Sequence, residues 1–146
     1  MEDNCKENLE LKIKKSILII GAIINIIVCL CLNFNEILTG GPIGNKNIVV
    51  SICYLLVWIL IILLSRYIKS KKLLKLFLGY WIINLLIYFL VTILLKFEIY
   101  ISILILFFVI FIGPMHGIYL SNSIIIITII AILISIFIFY FMKKTP

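Results

Sequence analysis

The chain has 146 residues, of which 65% are hydrophobic and 13% charged, with a formal net charge of +7 and a mean hydropathy of +1.34. Soluble domains carry about 25% charged residues, so this composition excludes an ordinary water-soluble fold. From Ile99 to Met142 there is no Asp, Glu, Lys or Arg. Exposing that much apolar area to water would cost about 25 cal/mol per Å², whereas a bilayer accepts one helix per roughly 20 apolar residues.

The expected class is therefore all-α, a polytopic bundle of transmembrane helices. The isoleucine-rich composition, with many Lys and Asn, fits an AT-rich bacterial genome. Residues 1–15 form a charged N-terminal segment, residues 16–142 a single transmembrane domain, and residues 143–146 a short basic tail.

In chain order, the first apolar run covers Ser16 to Leu32 and follows Lys6, Lys12, Lys14 and Lys15. Lysines before an apolar stretch also suit a secretory signal. No small-residue cleavage site follows, since the chain continues Asn33-Phe34-Asn35-Glu36, so the segment is expected to stay as the first helix. The second helix is expected from Ile48 to Ser65 and the third from Leu76 to Leu95. The fourth is expected from Ile99 to Ile112, and the fifth from between Ile118 and Ile124 to near Met142. Gly-Pro turn chemistry punctuates the chain twice, at Thr39 to Asn45 and at Gly113-Pro114-Met115-His116-Gly117. The residues flanking the two breaks do not match well enough to indicate an internal duplication.

Basic residues set the orientation, because cytoplasmic loops are enriched in Lys and Arg. Besides the N-terminal lysines, Arg66, Lys69, Lys71, Lys72 and Lys75 crowd the second loop, while the first holds only Lys46 and the third only Lys96. The N-terminus and second loop are expected on the cytoplasmic side of a bacterial cytoplasmic membrane. There the loop residues Arg66, Lys69, Lys71, Lys72 and Lys75 would meet anionic headgroups. This placement at the ends of apolar runs argues against a nucleic-acid partner. The expected fourth helix reaches only about 21 Å, short of a roughly 30 Å hydrocarbon core. Five crossings are favoured, because re-entrant backbone must be covered by protein or line a water-filled cavity. The alternative is four crossings and a re-entrant hairpin, which would put Lys143 and Lys144 inside.

Ionisable groups at membrane depth mark coupled transport, voltage sensing and intramembrane acid–base chemistry. None of the apolar runs contains Asp, Glu, Lys or Arg. No catalytic set, metal site or cofactor is expected. Cys29 and Cys31 point about 200° apart on a helix and cannot share an ion, while Cys5 and Cys53 stand alone. His116 is either a ligand contact or pH-sensitive gate, or simply a polar residue of the Gly113–Gly117 break, and the second is favoured.

Uncharged polar residues recur at helical spacing. Gly21, Asn25 and Cys29, with Ala22, line the first helix. Ser51, Tyr54, Trp58 and Ser65 line the second, and Tyr80, Asn84, Tyr88 and Thr92, with Trp81, the third. Ser121, Thr128, Ala131 and Ser135 line the fifth. The fourth has no comparable stripe beyond Ser102 and is expected to be the most lipid-exposed or to meet a partner. Asn25 and Asn84 lie at similar depth, about 12 to 14 Å from the inner surface, and Trp58 is level with them. An interhelical polar core of Asn25, Asn84, Trp58, Tyr54 and Tyr88 follows, with the two amides in contact as structural glue.

No stretch carries a family motif. The leading expectation is a non-enzymatic accessory or regulatory subunit acting through a partner membrane protein, of which an immunity-type role is one version. The alternative is a small oligomeric permease or pore for a neutral or lipid-like solute.

Overall fold

The computed structural model describes residues 2–39, 41–97, 102–118 and 124–145, and side chains for 9–39, 41–94, 96–97, 106–118 and 126–145. Expectations touching Glu98, Ile99 and Ser121 lie outside the described residues. Among the described residues five α-helices form, as expected: α1 (Glu2–Thr39), α2 (Asn45–Tyr67), α3 (Lys71–Lys96), α4 (Ser102–Ile112) and α5 (Ile124–Lys144). A 3-10 turn (Gly113–Ile118) joins α4 towards α5. Four stretches are long and apolar enough to cross a membrane, within α1, α2, α3 and α5.

At 38 residues, α1 spans about 57 Å and overshoots the expected run at both ends. Its N-terminal turns carry Lys12, Lys14 and Lys15, with Lys14 bridged to Glu10 at 3.4 Å. Lysines on such an extension need no burial, because they lie before the apolar stripe begins. α2 runs antiparallel to α1, with Asn25 set against Tyr54 and Asn33 against Asn47. Between α2 and α3 the turn closes through Ser70 N–H to Ser65 O (3.1 Å) and Lys69 N–H to Arg66 O (2.9 Å). Lys69 there adopts a left-handed φ of 51°, a conformation that costs a side-chain-bearing residue about 1–2 kcal/mol.

The path of the last two helices departs from the favoured five crossings. α4 is antiparallel to α3, since Phe108 stacks on Tyr88 (6.5 Å) and Phe111 meets Tyr80 with tilted rings (5.7 Å). It thus enters from the end of the bundle holding Lys96 and stops near the middle. The 3-10 turn then packs on Asn33 of α1 and Ser51 of α2, back towards the end where it started. α5 crosses in the opposite sense to α3 and finishes beside the α2–α3 turn. There Arg66 lies 4.2 Å over the Phe141 ring, and Lys71 Nζ reaches Thr145 O at 3.5 Å. Among the described residues this leaves four helices long and apolar enough to cross, and a short α4 whose 3-10 turn folds back against α1 and α2. The physical reason is cover: α1 and α2 enclose the turn in protein, which is the condition for non-helical backbone at depth.

The N-terminus, the α2–α3 turn and the C-terminus therefore share one end. Of the 13 Lys and Arg residues, all but Lys46 and Lys96 fall at that basic end. α4 is also less exposed than expected. It turns Leu106, Phe107 and Ile110 outward but packs Phe108, Phe111 and Ile112 against the core.

Candidate functional site

The polar stripes of α1 and α2 meet along one seam. Asn25 Nδ2 donates to Tyr54 O at 3.2 Å, and Cys29 Sγ donates to Asn25 Oδ1 at 3.6 Å. One helical turn further, Asn33 Nδ2 donates to both Gly113 O (3.2 Å) and Pro114 O (3.3 Å). Its Oδ1 accepts from Asn47 Nδ2 at 3.1 Å. Ser51 Oγ donates to Pro114 O (3.2 Å) and accepts from Gly117 N–H (2.9 Å). Asn33, Asn47 and Ser51 are all essentially buried. The re-entrant backbone is thus bonded by side chains of both flanking helices, satisfying polar groups that lipid could not.

Close approach completes the joint. A Cβ at Gly117 would overlap the backbone of Asn47 and Ile48, so only glycine fits there. A Cβ at Gly113 would meet the tips of Leu30 at 2.7 Å and Ile37 at 3.0 Å, flexible ends that can give way. Above the joint, Lys46 pairs with Glu36, and Asn47 Oδ1 accepts from Gly44 N–H at 3.0 Å to start α2.

Nearer the middle of the bundle is an aromatic cluster. Tyr54 and Tyr80 hydroxyls are 2.8 Å apart. Trp58 stacks on Tyr80 with ring centroids 4.8 Å apart, and meets Phe77 and Trp81 edge-on at 5.4 and 5.6 Å. Edge and offset contacts at such distances add about 0.5–1.5 kcal/mol per pair beyond area burial. Tyr54, Trp58 and Tyr88 are all buried.

Asn25 and Asn84 do not bond to each other. Asn84 Nδ2 turns to Tyr80 O of its own helix at 3.1 Å, and its Oδ1 is buried without a hydrogen-bond partner. Equal depth did not bring the two amides into register, because α1 and α3 stand apart. Between them is a cleft of about 620 Å³ whose lining includes Ala22, Trp58, Gly79 and Tyr80. Thr92 and Ser135 likewise bond within their own helices, to Tyr88 O and Ala131 O.

His116 sits half-buried in the 3-10 turn. The basic loop divides its tasks: Arg66 covers Phe141, Lys71 reaches Thr145, Lys69 makes the turn, Lys72 is exposed, and Lys75 borders the cleft. Cys29 is buried while Cys31 and Cys53 are exposed and unpaired. Among the described residues no group of His, Cys, Asp and Glu could hold a metal ion.

Asn33 and Asn47 lie outside the polar stripes read from the sequence. The signal for Asn33 was present, since Gly21, Asn25 and Cys29 continue to Asn33 at the same spacing of four. The chain matches no protein-family model, no curated protein and no solved structure.

Proposed function

We propose that this chain is a non-enzymatic accessory or regulatory subunit in a bacterial cytoplasmic membrane, acting through a partner membrane protein. Its basic end faces the cytoplasm, in keeping with the distribution of Lys and Arg. One observation carries the reading: the polar side chains of the α1–α2 seam are spent within the fold. Asn25, Asn33, Asn47 and Ser51 bind backbone or each other, which leaves helix faces and short turns as what the protein offers. An immunity-type role is one specific form of this activity.

A second reading, a small oligomeric permease or pore, draws on the re-entrant turn, since interrupted helices at depth occur along solute paths. Purification of the tagged protein in mild detergent, followed by mass spectrometry, separates the two. A stoichiometric membrane-protein partner is the expected result. A homo-oligomer with bound solute and no partner would overturn the subunit reading in favour of the second.

A further inference from the structure

We infer that the cleft between α1 and α3 is a binding site for one acyl chain of an anionic phospholipid, whose phosphate is held by Lys75. The cleft measures about 620 Å³, within the range of about 300–1,000 Å³ typical of ligand pockets. Its floor is aromatic, made by Trp58, Tyr80 and Phe111, and its walls are apolar apart from Lys75. The cleft is open at Gly79, where a Cβ would meet nothing within 4 Å. From Lys75 to Ile83, both lining residues, α3 rises about 12 Å. That is close to one leaflet of a roughly 30 Å hydrocarbon core.

Charge complementarity selects the occupant. Lys75 is exposed at the basic end, where an acyl chain lying in the cleft would bring its headgroup. On α3, Lys72 precedes Lys75 by three residues and shares its helical face. An apolar partner helix would gain nothing from a lysine at this rim, whereas a phosphate would, and basic pockets between transmembrane helices bind anionic headgroups. The inference rests on the fold and not on the subunit reading, so a missing protein partner leaves it intact.

The test uses the full chain in phosphatidylcholine vesicles containing either brominated-chain phosphatidylglycerol or brominated-chain phosphatidylcholine. Bromine quenches indole fluorescence at short range, and Trp58 lies on the cleft floor while Trp81 is fully buried behind it. The phosphatidylglycerol is expected to occupy the site about fivefold more strongly, the effect of one lysine near the surface. Lys75→Gln should make the two lipids equivalent while keeping the quenching. Gly79→Leu, which fills open space without a clash, should reduce quenching by both. Equal quenching of the unaltered protein by the two lipids would overturn the inference, as would quenching unaffected by Gly79→Leu. Cross-linking from a Gly79→Cys variant to a second protein chain, in place of lipid, would also overturn it.

Discussion

Replacing Asn33 with Leu removes the joint between α1 and the re-entrant turn while keeping a side chain of similar size. The structure sets the magnitude. Asn33 makes bonds of 3.2 and 3.3 Å to the carbonyls of Gly113 and Pro114 and one of 3.1 Å from Asn47. Pro114 O keeps its bond from Ser51, but the Asn47 amide loses this acceptor. At about 0.6–1.7 kcal/mol for each interhelical bond in a membrane protein, the loss of three comes to about 2–5 kcal/mol. The assay is SDS-titrated unfolding from mild detergent, followed by the fluorescence of the two tryptophans, both in the core. Asn35→Leu, at an exposed position on the same helix, serves as control and should stay within about 0.5 kcal/mol. A Met115→Cys probe, at a site 1% exposed, should be protected from thiol reagents in the parent and reactive once Asn33→Leu is added. If Asn33→Leu costs no more than the control and the probe stays protected, the joint is not what holds the turn.

Gly117→Ala should destabilise by about 3 kcal/mol or more, at the upper end of overpacking effects, because its Cβ would overlap the α2 backbone. Gly79→Ala, facing open space, should be nearly neutral in the same titration. Asn25→Leu should cost about 1 kcal/mol through its lost bond to α2. Asn84→Leu should be neutral or stabilising, since it removes a buried oxygen that has no partner.

Much of the bundle was legible because apolar length and lysine placement are strong signals. The four long spans and the basic second loop follow from them directly. The hairpin was harder. In a count of charges only Lys143 and Lys144 favoured it, and cover for re-entrant backbone depends on tertiary packing that periodicity does not report. Asn33 escaped notice because α1 was expected to end at Leu32. The polar stripe in fact carries on to Asn33, and the helix to Thr39. Asn25 and Asn84 show the converse limit. Depth along a helix axis can be counted from sequence, but the rotation and spacing of two helices cannot. A cleft separates the helices that equal depth had paired.

The proposed path of the chain makes four crossings, with α4 and the 3-10 turn returning to the side from which they came. Its direct test is labelling by a membrane-impermeant thiol reagent in intact cells, on a background lacking the native cysteines. Single probes Lys46→Cys, Lys71→Cys and Lys144→Cys occupy the two ends of the bundle. On this path Lys46→Cys is labelled, whereas Lys71→Cys and Lys144→Cys react only after the cells are permeabilised. Labelling of Lys144→Cys in intact cells, with Lys71→Cys protected, would put the C-terminus outside and contradict the hairpin.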